Sequence, residues 1–333
     1  MEDAGKQKLF IQKIKDSIPP NRSLVNELSD ILEVSSDSAY RRIRSETALT
    51  IDEIILLCNH YKISFDSFSN LESNAVTFRY QIIKSNRESF RDYLINMKED
   101  MKKIQRADDK KLIYAAVDIP VFHHFRFPEL GAFKIFYWLK SVLNAPDLEA
   151  AKYNSELLGE EIPELCKEIG EIYTSIPSVE IWTEGILDSI LKQIQYFSES
   201  GLFESKEQID TIFENLFQEL EFMQKQASFG VKFINEERRC EFEDSFQLYF
   251  SDIEVGNNTI FTKTGSVENT YITNHTFKSL ITGNASFCNE TKEWLKYLVK
   301  KSILISGVGE KQRYVYFNVL QEKIKRVKHK LGA

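Results

Sequence analysis

The run from Leu24 to Arg44 constrains this chain more than any other segment. It spells two short amphipathic helices joined by a break so tight that they can only cross steeply. Leu24, Leu28, Ile31 and Leu32 share one face of the first helix, which Ser23 is placed to cap. Ser29 is small where the helices must touch, and Val34 is the apolar residue of the break. Ser35 can cap the second helix, whose inward positions are Ala39 and Ile43. Its outward positions are Ser36, Asp37, Tyr40, Arg41 and Arg44. With Arg42 beside them and Asp37 as the only acid, this second helix is locally cationic.

Neighbouring segments complete a small helical domain. Lys8–Ile18 reads as a preceding helix, stopped by Pro19-Pro20. Thr50 caps a following helix with Ile51, Ile54, Ile55, Leu57 and Cys58 expected to be buried, and a fifth helix is expected from Ser64 to Phe68. The stretch from Leu9 to Phe68, with its Leu56–Phe65 trailing segment, resembles the Cro-like, XRE-type helix-turn-helix domain. That resemblance implies a five-helix, lambda-repressor-like fold whose second motif helix enters the major groove of double-stranded DNA. It places Ser36, Asp37 and Arg41 at base edges, with Ser38 on the same helix, and Arg41 bridging guanine O6 and N7. It assigns Tyr40, Arg42, Arg44 and Arg22, with Asn26, to phosphates. The chain departs from the family at two positions, where Glu33 and Ser45 stand in place of glycines. Each of these would have to adopt a backbone conformation that glycine prefers.

Beyond this head the periodicity changes. Val76–Ile83 alternates weakly and reads as an extended crossing. Asn86–Arg106 reads as a long helix, in which Phe90, Leu94, Met97, Met101 and Ile104 recur at spacings of 4, 3, 4 and 3. That seam can pair with a second copy or bury against the rest of the chain. Residues 108–230 read as helices: Lys110–Val117, Leu130–Leu143, Leu148–Leu158, Ile162–Ser175, Val179–Ser200 and Lys206–Gln226. Phe242–Ile281 is rich in aromatic and β-branched residues between turn signals and reads as a small antiparallel sheet. A helix over Asn289–Lys300, a hairpin of Ile303–Ser306 with Arg313–Phe317, and a basic helix over Val319–Leu331 follow. The expected class is therefore mainly α, ending in a small α+β unit. The expected divisions are 1–70, 71–107, 108–230 and 231–333.

Composition narrows the function. Net charge is −7, and residues 1–70 hold nine Lys/Arg against eleven Asp/Glu. DNA contact must therefore come from a few local arginines, and non-specific affinity should be low. Cys58, Cys166, Cys240 and Cys288 lie far apart, and no CxxC pair exists. With the charged start Met1–Lys8 and no apolar span of about 18 residues, the expectation is a cytoplasmic chain without a membrane segment.

His123-His124, flanked by Phe122, Phe125 and Phe127, could bind metal but better suits a packed corner. Gly307-Val308-Gly309-Glu310-Lys311 lacks the phosphate-loop pattern and reads as a turn. The aromatic run from Phe122 to Trp138 is core or the lining of an apolar ligand pocket. No cofactor motif and no catalytic constellation stands out. These readings lead to a non-enzymatic, homodimeric DNA-binding transcriptional regulator whose C-terminal part senses a small molecule or peptide, or sets the oligomeric state. One alternative is a regulator whose C-terminal part binds a protein or peptide partner. Another is an enzyme fused to a DNA-binding head.

Overall fold

The computed structural model describes residues 5–18, 22–61, 63, 75–235 and 244–332. Contacts divide the chain into two compact units, Met1–Phe78 and Arg79–Ala333.

The first unit contains α1 (Lys6–Ser17), α2 (Leu24–Leu32), α3 (Ser36–Ile43) and α4 (Ile51–Tyr61). Phe10, Ile11, Ile14, Leu28, Ala39 and Leu57 form its core. The helix expected at Ser64–Phe68 lies outside the described residues. In α4 the expected burial is only partly realised. Leu57 is fully buried, Ile54 and Cys58 are half-buried, and Ile51 and Ile55 face solvent. The five apolar positions cannot all reach so narrow a core, because one side of an α-helix spans little more than a third of its circumference.

The second unit contains β1 (Arg79–Tyr80), α5 (Arg87–Arg106), β2 (Lys110–Ala116), α6 (Val121–His124) and α7 (Pro128–Tyr137). It continues with α8 (Glu161–Thr174), β3 (Ser178–Trp182), α9 (Asp188–Glu199), α10 (Lys206–Phe229), β4 (Phe246–Phe250), β5 (Thr259–Thr264), β6 (Val267–Asn274) and β7 (Lys278–Thr282). It ends with α11 (Ala285–Lys301), β8 (Ile303–Leu304) and α12 (Glu310–Lys330). The strands make one mixed sheet in the order β1-β7-β6-β5-β2-β3-β4-β8. Strands β2, β3 and β4 run parallel, and the other pairings are antiparallel.

This sheet corrects the expected division at residue 230. Lys110–Val117 is a strand rather than a helix, and Val179–Ser200 is a strand followed by a helix. Both strands pair directly with the C-terminal strands, so 108–230 and 231–333 share one sheet. The cause is burial on both faces. Leu112, Tyr114, Ala116 and Trp182 join the core under the main helical layer, while Ile113, Ala115 and Ile181 join a smaller core under α11. A strand covered on both sides carries a continuous apolar run, which loses the alternation that identifies strands.

Three further expectations change. Where a helix is expected at Leu148–Leu158, one 3-10 turn, Pro146–Leu148, ends at its start and a second, Ser155–Leu158, closes it. The expected hairpin at 303–317 is the short strand β8 followed by the start of α12. Gly309 makes that turn possible, since a Cβ there would lie 2.4 Å from the Leu304 carbonyl oxygen. Arg313 secures the turn from α12 by donating to the carbonyls of Ile305 and Gly307, both at 3.0 Å. The seam on α5 is used within the chain, where Phe90, Leu94, Met101 and Ile104 are buried in the main core. It is therefore not a free pairing surface.

One buried carboxylate ties the parallel strands to the helical layer. Glu180 of β3 is fully buried. Tyr173 of α8 donates to it at 2.6 Å, Ser178 at 3.2 Å and the Trp182 indole at 3.0 Å. His123 Nε2 of α6 lies 3.1 Å away, and an ionised carboxylate only accepts, so this nitrogen carries the proton. Burial alone would raise the Glu180 carboxyl, but His123, the Lys232 charge and the Tyr173 hydroxyl outweigh it and hold the group below its ordinary value. In the unfolded chain the carboxyl takes up its proton at higher pH than in the fold. The stabilisation is therefore present above about pH 4.5 and is lost as pH falls through the lower folded value. Replacing Glu180 with Gln should cost about 3 kcal/mol, because buried donors lose a charged acceptor. In denaturant unfolding the variant should also show a shallower acid dependence than the wild type.

Candidate nucleic-acid interface

The motif is built on two left-handed backbone positions. Glu33 ends α2 at φ 52°, and Ser45 follows α3 at φ 61°. These are the two positions at which the resemblance expects glycine. Between the helices, the Val34 amide donates to the Ser29 carbonyl at 3.1 Å, and the Ser29 hydroxyl donates to the Val34 carbonyl. Ser29 thus closes the turn in addition to allowing close approach. Ser35 caps α3 by accepting from the Ser38 amide at 3.3 Å.

Helix α3 buries Ala39 and turns the opposite face to solvent. Ser36 and Asp37 are exposed, Tyr40 is 49% exposed, and Arg41 and Arg44 each keep 60% of their side chains accessible. Ser38 is half-buried and bonded to Ser35. Arg41 pairs with Asp37 at 3.2 Å, and Arg44 pairs with Glu46 at 3.3 Å while lying over the Tyr40 ring. Arg22 is exposed and pairs with Glu27 at 2.8 Å, next to α2. Solvent-exposed pairs of this kind contribute about 0–1 kcal/mol, so another anion can exchange into them at little cost.

Arg42 has a different position from its sequence neighbours. Only 16% of its side chain is accessible, and it pairs with Glu53 of α4 at 2.7 Å. It also donates to the Ser38 carbonyl at 3.2 Å. Glu53 in turn accepts from the Thr50 amide at 2.9 Å, while Thr50 Oγ1 accepts from the Glu53 amide at 3.2 Å. This reciprocal capping box fixes the start of α4 and holds Arg42 inward. Burial pushes the Glu53 carboxyl up, but its bonds to Arg42 and Thr50 pull it below the ordinary value. Gln7 of α1 completes the frame, donating to the carbonyls of Arg42 and Thr47 and accepting from the Leu49 amide. The Thr50-x-x-Glu53 spacing carried a signal for the box, whereas nothing local marks Gln7, whose partners lie 35 or more residues away.

His123 belongs to the Glu180 network, and His124 Nδ1 lies 2.8 Å from the fully buried Glu219 of α10. Among the described residues, no group of three or more His, Cys, Asp or Glu could hold a metal ion. The aromatic run is close-packed: Phe133 meets Phe197 with ring centroids 5.3 Å apart, and Trp138 stacks on Phe277 at 4.6 Å. On α12, Lys323, Lys328 and Lys330 pair with Asp188, Asp210 and Glu199 of α9 and α10. An open groove of 660 Å³ between α10 and α12 is lined by Phe229, Tyr314, Lys225, Lys311 and Glu221. No helix among the described residues is long and apolar enough to cross a membrane. Comparison with protein-family models, curated proteins and solved structures finds no match for this chain.

Glu33→Gly and Ser45→Gly should each raise stability by about 0.5–1 kcal/mol, by removing a side chain from a left-handed position. Glu53→Gln should lower it by about 1–2 kcal/mol through loss of the cap and the Arg42 pair. Thermal unfolding of the three variants beside the wild type checks both signs.

Proposed function

We propose that the chain is a sequence-specific, DNA-binding transcriptional regulator that inserts α3 into the major groove of double-stranded DNA. The observation that carries this reading is the division of α3 into two faces. Ala39 and Arg42 turn inward and lock the helix in place, while Ser36, Asp37, Tyr40, Arg41 and Arg44 stand outward on one surface. The outward set combines side chains suited to base edges with two guanidinium groups. In this reading Arg41 reads a guanine and releases Asp37, whose carboxylate becomes free to accept from a cytosine amino group. Arg44 and Tyr40 hold phosphates, and Arg22 adds one more from just before the start of α2. Arg42 is removed from the phosphate set and becomes the residue that positions α3.

The head is not net basic, so a single copy binds with few phosphate contacts and weakly. A homodimer on a palindromic operator supplies the missing affinity. The α/β unit then carries the regulatory input, a small molecule or a peptide, and the reading assigns no catalytic step to it.

Operator selection from a random DNA library, followed by gel shift, tests this. Arg41→Ala should weaken cognate binding by about 1–3 kcal/mol and relax preference at one base position. Arg44→Ala should weaken all sequences alike and flatten the salt dependence. Failure of the wild type to enrich any sequence would end the proposal.

A further inference from the structure

Among the described residues, α11 is the helix that packs on the face of the sheet opposite the main helical layer. Cys288, Thr291, Leu295 and Leu298 are its buried side. Its other side carries the exposed aromatics Trp294 (40%) and Tyr297 (56%). Large aromatic side chains left in water on a helix are a marker of an interaction surface.

The residues around these aromatics are ordered by charge. Exposed acids, Glu290 and Glu293, occupy the N-terminal half of α11, and exposed bases, Lys296, Lys300 and Lys301, occupy the C-terminal half. Glu290, Trp294, Tyr297 and Lys301 follow one another at spacings of 4, 3 and 4, which places them on a single stripe. The spacing reads the same in both directions. Reversing the helix therefore lays the stripe onto itself, with acid meeting base at each end and aromatic meeting aromatic at the centre. Lys301 already sits over the Tyr297 ring, 5.7 Å from its centroid, at one end of the stripe.

We infer that α11 is the contact by which two copies of this chain associate, packed antiparallel across a two-fold axis between Leu295 and Lys296. Trp294 meets Tyr297 of the partner subunit, and Glu290 meets Lys301 of the partner subunit. The contact is isologous, so each pairing occurs twice. A parallel arrangement would set acid against acid and base against base. A single helix pair is a small contact beside the roughly 1,200–2,000 Å² of a standard interface, so the expected association is weak, on the order of micromolar. The inference deepens the homodimer of the proposed function by naming its contact, and it is tested without DNA.

Sedimentation velocity of the full chain without DNA, from low to high micromolar concentration, is the test. The wild type should shift from 38.8 kDa toward twice that mass. Tyr297→Glu should remain monomeric, with circular dichroism confirming its fold. Glu290→Lys and Lys301→Glu should each raise the dissociation constant about tenfold, since each loses two pairings. The double variant E290K/K301E should return to within about threefold of wild type, because the swapped charges meet again. A wild type monomeric throughout overturns the inference, as does a dimer unaffected by all three single substitutions. A double variant weaker than either single one also overturns it. The single charge reversals decide the matter even if Tyr297→Glu does not fold. Because no DNA is present, failure here leaves the operator test untouched, and failure of that test leaves this one untouched.

Discussion

A buried carboxylate in the middle of a parallel strand is costly unless several donors surround it. Glu180 is held by side chains from three elements, α6, α8 and β3 itself. Apart from the Ser178 hydroxyl, those donors are aromatic or imidazole groups whose rings also fill the core, with His123 edge-on to Tyr173 at 5.3 Å and Phe122 stacked on Tyr173 at 4.5 Å. Lys232 extends the same cluster, donating to the Tyr173 carbonyl at 2.8 Å and lying 3.8 Å from the centre of its ring. The helical layer can meet the sheet in only one register if all these bonds form together. That requirement gives the second unit a specific arrangement which apolar packing alone leaves looser.

The same principle operates on a smaller scale in the head. Glu53 joins the cap of α4 to Arg42 of α3, and Gln7 joins α1 to the segment after α3. Three polar side chains from three helices therefore fix the orientation of α3. The face of that helix opposite Ala39 stands exposed. Two guanidinium groups two residues apart, Arg42 and Arg44, are chemically alike and end in opposite places. One is enclosed by α4 and the other stands in solvent.

Local signals in the chain foretold the head well. Leu28, Ala39 and Val34 occupy the places their spacing implies, Ser35 caps α3, and Glu33 and Ser45, the two positions where the resemblance expects glycine, both have positive φ. Each of these depends on neighbours within a few residues, so the information is contiguous. The second unit was less legible for the converse reason. Leu112, Ile113, Tyr114, Ala115 and Ala116 carry no period because both of their faces are covered, and their partners lie about 65 and 150 residues further along. The α5 seam shows the limit of periodicity in another way. Its 4-3 spacing correctly marks a buried face, yet spacing cannot distinguish a partner on another chain from α8 on the same chain.

By itself the sequence determined the two short helices joined by a tight break, the outward set Ser36, Asp37, Tyr40, Arg41 and Arg44, and the small local charge of the first unit. It did so because helix caps, tight turns and amphipathic faces are decided by residues close together in the chain. Only the tertiary structure decided that Arg42 is internal, that His123 and Glu180 share a buried network, and that one sheet spans what reads as two regions. Those outcomes depend on which distant side chains arrive opposite one another. Pairings of that kind are set by the cost of leaving a charge or a backbone group unpaired in the interior.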